Sequence, residues 1–335
     1  QADYQGGFGA DVDPLKSFEH IGEAVKAGVT MLTLDLSEQL KPEFAGADEE
    51  SVRAAYGKLD ADLRARMESS YTSVPALGLE FSELERMRCA LIYTQAMDFS
   101  AQVHKFLCEN GGADTDLEIS IDETTSPTLP SHHLYIVRER RRSGVEFSSL
   151  APRFIGEFQK AIDYIGDLAE FDRQFKVHAQ IAKAYGNYKV SVHSGSDKFS
   201  VYPTVGRETG GYLHLKTAGT SWLVAVTVIA EHDPALYRKM HKAALANFND
   251  MLKLYHITAD ITKIADVDTL PDAELVKLMD MPEARQLLHI TYGPILTGEL
   301  RGEFFKAMHK LEKEYEAALE KHFDKHLSLL GVPKR

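Results

Sequence analysis

A chain of 335 residues with 44% hydrophobic content can bury a large core, as one barrel-sized domain or two smaller ones. Its net charge of −12 and its lack of a long basic run argue against a nucleic-acid partner, although a local cluster of Lys and Arg can still hold a small anion. Cys89 and Cys108 form no CxxC, which suits a reducing cytoplasm better than a disulfide framework. No apolar run approaches membrane-spanning length and no signal peptide is visible, so no membrane partner is expected.

Asp13 and Pro14 read as the N-cap and first turn of a helix over 15–27, with Leu15, Phe18, Ile21 and Val25 on one stripe and Gly28 as its stop. Residues 29–36, VTMLTLDL, read as a buried strand ending at Asp35 and Ser37. A polar helical stretch over 42–71 and a long helix over 81–110 form an excursion, about 42–110, outside a minimal α/β unit. A second strand follows at 117–123, LEISIDE, then a helix at 131–142, a third strand at 145–150 and a helical pair over 154–185. Further strands are expected from Lys189, at 212–218, at 254–259 (LYHITA) and at 287–292 (LLHITY), with helices at 222–230 and 235–252 and one long amphipathic helix over about 302–330.

Strands alternating with helices specify a parallel sheet. No GxGxxG or Walker loop follows any strand, which weakens a doubly wound nucleotide fold. The expected architecture is therefore an α/β, TIM-like (β/α)8 barrel with extra helices, in one domain over 1–335. Seven strands are visible, and the first of the eight is expected upstream of Gln1.

The richest stretch is 189–203, KVSVHSGSDKFSVYP, a strand that delivers His193, Ser194, Ser196, Asp197 and Lys198 to one end. In a barrel the C-terminal strand ends share one mouth. Those ends carry Asp122, Glu123, Arg153, His193, His214, Lys216, His256 with Asp260, and His289 with Tyr292. Imidazoles plus a carboxylate are what a divalent metal needs. Asp122 and Glu123 are adjacent, so both reach one mouth only if the strand's end or a bulge turns them. His322 and His326 have metal-compatible spacing, but their helix reads as solvated and without a third ligand. Asp233 and Pro234 read as a helix cap. Arg138 and 140–142 suit a helix C-terminus.

Four motifs, DETTSPT (122–128), LAPRFIGEFQKAIDYIGDL (150–168), HSGSDKFSVYP (193–203) and HLKTAGTSW (214–222), make the chain similar to the tagaturonate/fructuronate epimerase family from about Phe8 through the final helix. The chain looks shorter at its N-terminus than that family. The resemblance implies a cytoplasmic, metal-dependent epimerase of hexuronate catabolism that acts on a small sugar acid and interconverts D-tagaturonate and D-fructuronate. The two ketohexuronates differ at a carbon not adjacent to the ketone, so its proton is not acidified, and retro-aldol cleavage with re-addition is the economical route.

Within that reading Glu123, His256 and His289 are the expected metal ligands, Asp122 the base and His214 the acid, with His193 able to exchange roles with His214. Ser194, Ser196, Asp197, Lys198, His193, Lys216 and Arg153 are expected to bind hydroxyls and the carboxylate. Zn, Mn, Co and Ni suit such ligands equally. A metal-dependent ketose isomerase, a class II-like aldolase and a non-catalytic sugar-acid binding protein are the alternatives. Oligomeric state is not specified.

Overall fold

The computed structural model describes residues 7–217 and 219–333. The chain divides into two compact units. The first takes residues up to Ile155, Ala169–Val192 and Glu208–His214; the second takes Gly156–Leu168, His193–Arg207 and residues from Leu215 onward.

The first unit is built on a sheet whose strands are β1 (Asp11–Leu15), β2 (Met31–Asp35), β3 (Asp116–Ile121), β4 (Ser149–Pro152), β5 (Lys189–Val192) and β6 (Leu213–Leu215), lying side by side in chain order. Every pairing from β1 to β5 is parallel. Side chains alternate between faces along each strand. One face carries Leu32, Leu34, Leu117, Ile119, Ile121, Leu150, Val190 and Val192, all buried. Each contributes about 1.5–3 kcal/mol by leaving water. The other face carries hydroxyls and carboxylates, and it positions the site.

β1 corrects the first expected element. Residues 11–15 pair with β2 instead of opening a helix, and Pro14 is tolerated because it falls in a register shift between Val12 and Leu15, on a strand that is an edge among the described residues. The helix begins at Phe18, capped by Ser17, whose hydroxyl accepts from the His20 amide at 3.4 Å. It ends as expected at Gly28, whose φ of 77° lets its amide reach the Ala24 and Val25 carbonyls. A strand therefore precedes β2 within the described chain, whereas the first strand was expected upstream of Gln1, and the expected helix stands from Phe18 to Ala27. β4 lies over Ser149–Pro152, later than the expected 145–150. Of the helical pair expected over 154–185 only Leu168–Ala184 is an α-helix.

The second unit is largely helical. Thr220–His232, Pro234–Met251 and Pro282–Ile290 bury Leu223, Val226, Ile229, Tyr237, Met240 and Leu287 in one core. Both strands expected here are absent among the described residues. Residues 254–259 are irregular, and LLHITY falls on the end of the helix Pro282–Ile290. There the adjacent Leu287 and Leu288 are both buried, and Pro282 at the first helical position starts the helix. The long C-terminal helix is two, Arg301–Lys310 and Glu312–Leu329, broken at Leu311. A helix at Tyr202–Thr209 had no counterpart in the sequence reading.

Candidate active site

The strand register builds the polar face row by row. Thr33 lies opposite Glu118, and Glu118 opposite Ser149; one step along, Asp35 lies opposite Ser120. All five are buried, as is Ser191 on β5. Glu118 is 0% exposed. A carboxylate there is stable only with hydrogen-bond partners. Thr33 Oγ1 donates to Oε1 at 3.2 Å, Ser149 Oγ donates to Oε2 at 2.6 Å, and His214 Nδ1 lies 2.7 Å from Oε2. The Ser191 hydroxyl is 3.1 Å from the same imidazole nitrogen.

At the C-terminal ends of β1 to β3 sits a cluster of acids around one base. Asp35 Oδ1 accepts from the Ser37 amide at 2.7 Å, and its Oδ2 lies 3.2 Å from Lys16 Nζ. The same ammonium is 3.8 Å from Glu123 and 4.0 Å from Glu38. Burial opposes the Lys16 charge, but the hydrogen bond to Asp35 and the attraction of the three carboxylates raise its pKa. Burial, then the Asp35 carboxylate, raise the Glu123 pKa against the pull of Lys16. β3 ends at Ile121, so Asp122 and Glu123 are freed from strict alternation. Asp122 accepts from the Ser120 hydroxyl, while Glu123 reaches Lys16. Arg153 braces the following loop: its guanidinium donates to the Thr124 carbonyl and its amide to Thr128 Oγ1 at 3.2 Å.

In the second unit the loop after β5 is sharply folded. Ser194 and Asp197 have φ of 50° and 62°, conformations that cost a non-glycine residue free energy and cluster at functional sites. Between them a Cβ on Gly195 would overlap the Leu215 side chain and sit 3.1 Å from the Lys216 carbonyl oxygen. That oxygen accepts from the Gly195 amide at 2.9 Å. Lys160 Nζ donates to Ser194 Oγ at 3.0 Å.

Lys198 is fully buried, and its ammonium donates to the carbonyls of Gln159 (2.8 Å), Ile162 (2.6 Å) and Ser196 (3.0 Å). Those three bonds use its three protons. Burial lowers its pKa to about 8. Expected among the substrate-binding groups, Lys198 instead staples this loop to residues 159–162.

Asp197 anchors a second cluster. Its Oδ2 lies 3.1 Å from Arg285, its Oδ1 3.7 Å from His322 Nε2, and its amide donates to His326 Nε2 at 3.3 Å. His326 Nδ1 bonds the His322 carbonyl oxygen at 2.9 Å, which leaves Nε2 as the acceptor. One donor atom from each of Asp197, His322 and His326 lies within 4.8 Å of the others. This corrects the reading of the last helix as solvated. His326 is only 2% exposed, covered by the rings of Phe199 and Tyr202 at 4.9 and 5.4 Å, and the third donor arrives from Asp197. Burial lowers the pKa of His322 to about 4, keeping the imidazole neutral and able to ligate. Beside it is a cavity of about 390 Å³ lined by Asp163, Asp197, Phe199, Arg285, His322 and Lys325. One carboxylate and two imidazoles fit a transition-metal ion by donor type; the Arg285 guanidinium on Asp197 opposes one, as does the Asp197 amide, whose hydrogen bond to His326 Nε2 a bound ion would have to displace.

The other expected ligands are placed differently. His256 is 76% exposed on an irregular stretch, with Nε2 3.6 Å from Glu157. His289 is buried in the helix Pro282–Ile290, and burial lowers its pKa to about 4. Glu123 belongs to the first unit, and both histidines belong to the second. Sequence reading missed Glu118, Lys16 and Arg285. The signal for Glu118 was present in LEISID, where Glu118, Ser120 and Asp122 alternate with Leu117, Ile119 and Ile121. A buried strand with one wholly polar face marks a lined site.

A parallel α/β sheet with a buried polar face, an imidazole–carboxylate pair on it and further carboxylates at its strand ends belongs to the class of small-molecule enzymes. A family model described as tagaturonate epimerase matches residues 1–330. The tagaturonate/fructuronate epimerase of Thermotoga maritima is 40% identical over 336 residues, covering 98% of this chain and 69% of that protein. Crystal structures of the fructuronate–tagaturonate epimerase UxaE from Cohnella laeviribosi, native and with one glycerol bound, superpose with a TM-score of 0.94 at 45% identity, again covering 98% of this chain and 69% of theirs. The chain belongs to the tagaturonate epimerase family, whose members are isomerase-class enzymes.

Proposed function

We propose that this chain interconverts D-tagaturonate and D-fructuronate by retro-aldol cleavage and re-addition, with its sheet forming part of a (β/α) barrel and a divalent cation bound. The observation that carries the reading is that two groups able to move protons are tethered to one polar strand face. Asp122 is bonded to Ser120 and His214 to Glu118, two residues apart on β3. Asp122 takes the proton of the hydroxyl on the carbon to be inverted. The bond from that carbon to the one beside the ketone breaks, its electron pair passes into the ketone to give an enediolate, and the released carbon becomes an aldehyde. The aldehyde turns over, the enediolate carbon re-adds to its other face, and His214 protonates the new alkoxide. Each turnover leaves Asp122 with one proton more and His214 with one fewer, and exchange with solvent resets both.

A bound divalent cation would supply Lewis-acid polarisation of the ketone oxygen. Asp197, His322 and His326 are the ligand set supported by mutual distance; Glu123, His256 and His289 are the alternative set. Arg153 in the first unit and His193, Ser194, Ser196 and Lys216 in the second are the groups offered for substrate hydroxyls and carboxylate, the cationic ones through charge-assisted hydrogen bonds. Asp197 passes from that group to the metal ligands.

The test is turnover of D-fructuronate by metal-stripped protein, with and without added Mn, Co, Ni or Zn, following D-tagaturonate. The expected result is interconversion restored by metal. Three-carbon products would make the enzyme an aldolase, and binding of uronate without turnover on folded protein would overturn catalysis altogether. Label from solvent appearing at the inverted carbon, with no three-carbon fragment trapped, would replace the retro-aldol route by deprotonation.

A further inference from the structure

The polar face holds a fully buried carboxylate to which the proposed chemistry gives no proton-transfer step. Glu118 sits mid-strand on β3 with no solvent exposure. An ionised side chain in such a place is costly unless something gains from it. Its neighbours are arranged to donate to its oxygens and hold it fixed. Thr33 from β2 donates to one oxygen and Ser149 from β4 to the other, both at positions that the register sets directly opposite Glu118. Oε2 is then aimed at one nitrogen of one imidazole, His214 Nδ1, at 2.7 Å.

We propose that Glu118 is the positioning residue for His214: the buried carboxylate accepts the Nδ1–H, fixes that tautomer and ring orientation, and thereby presents Nε2 as the atom that exchanges a proton with the substrate. The inference rests on the reading above that His214 moves a proton. An acceptor-only carboxylate can bind Nδ1 only when that nitrogen carries hydrogen. In the neutral ring this leaves the lone pair on Nε2, and in the protonated ring it leaves a deliverable proton there. A carboxylate behind a catalytic imidazole works this way in hydrolases, where replacing the acid by its amide leaves the geometry but sets the wrong tautomer. The Ser191 hydroxyl near the same nitrogen at 3.1 Å is the weaker partner, since it can accept or donate and does not select a tautomer.

The test has two arms. In the first, ¹⁵N NMR of the unsubstituted protein, with the His214 signals assigned by their loss in His214→Asn, reads which ring nitrogen bears hydrogen. The proposal expects the Nδ1–H form in neutral protein and loss of that preference in Glu118→Gln, with Ser191→Ala retaining it. A neutral His214 ring that holds its hydrogen on Nε2 and none on Nδ1 in the unsubstituted protein overturns the proposal, and this arm stands even if Glu118→Gln fails to fold. In the second arm, Glu118→Gln is expected to lower kcat about 10- to 100-fold with KM within about twofold, and Ser191→Ala to change kcat by less than about threefold. Folded Glu118→Gln with unchanged kcat overturns the positioning role. The two readings fail separately: full turnover by His214→Asn removes the role of His214 itself, whereas an inactive His214→Asn beside a fully active Glu118→Gln removes only that of Glu118.

Discussion

The two units bury charge by different devices. In the first, Glu118 and Asp35 sit on adjacent strands, and their partners are set by register: Thr33 and Ser149 across from Glu118, Ser37 and Lys16 beside Asp35. In the second, Asp197 and Lys198 sit on a loop with left-handed residues and are satisfied by groups far along the chain, Arg285, His322 and His326 for one and the carbonyls of Gln159 and Ile162 for the other. A strand supplies neighbours at a fixed pitch, so a polar side chain there can be dedicated to chemistry while the ladder holds the backbone. A folded loop has no ladder, so its charged groups must also hold it together. Substitutions at the chemistry-bearing ends of the strand face should therefore affect turnover more than stability, whereas those at Asp197 and Lys198 should cost stability as well.

The largest expected effect is at Asp122. Asp122→Asn should lower kcat by about 10²- to 10⁴-fold, the usual contribution of a positioned base, while thermal unfolding followed by circular dichroism shifts little. A large fall in melting temperature instead would put Asp122 among the structural groups and erase the contrast. Next is Asp197→Ala, which takes the carboxylate from the largely buried Arg285 guanidinium and leaves it the Ala161 and Met279 carbonyls. Urea titration should show a loss of about 3 kcal/mol, with Arg285→Met in the same background recovering part of it. The same cluster gives the metal test. His322→Ala should release the bound cation, read by elemental analysis of protein purified with metal, and Glu123→Gln should not. The opposite pattern transfers the metal to the alternative ligands.

The contrast also explains what could be read from the sequence. VTMLTLDL, LEISIDE and KVSV were legible as strands because their apolar residues recur with a strand's period, and the residues that end them, Asp35, Asp122 and Glu123, were legible with them. LYHITA and LLHITY carry a similar short apolar pattern, yet one is irregular and the other closes a helix, since a run of six residues does not separate buried helix from strand. The Asp197–His322–His326 cluster was out of reach for another reason. Whether His326 meets solvent depends on Phe199 and Tyr202, which lie on a distant stretch of chain, and no local pattern reports that. Glu118 lay between these cases: its strand was legible, but its partner His214 is 96 residues away.

Both units should respond alike to acid, which bounds how far the contrast goes. Burial lowers the pKa of His132 to about 4 and His178 to about 3 in the first unit, and of His241 and His289 to about 4 in the second. Each ring is neutral in the fold, whereas in the unfolded chain it takes a proton near pH 6.5. Between those values the unfolded state binds more protons, so stability is full above about pH 6.5 and falls as pH drops towards 4. From pH 7 to 5 the loss is about 2 kcal/mol for each such histidine, measured by urea titration at the two pH values. His241→Gln should remove one such increment.

The smallest effect probes the register itself. Thr33→Val keeps the shape of the side chain but removes the donor to Glu118 Oε1, a bond of 3.2 Å to a fully buried carboxylate. A hydrogen bond to a charged group contributes about 1.5–3 kcal/mol, and the long distance puts the expected loss near the lower end, about 1.5 kcal/mol. If Ser149, His214 and the rest of its surroundings can hold Glu118 without Thr33, this loss will appear in the urea midpoint with kcat unchanged. If the row acts as one unit, kcat will fall as well, because a carboxylate free to turn no longer aims Oε2 at His214. Comparing Thr33→Val with Ser149→Ala then tells whether the strand ladder alone fixes the polar face or the hydroxyls on both sides must grip it.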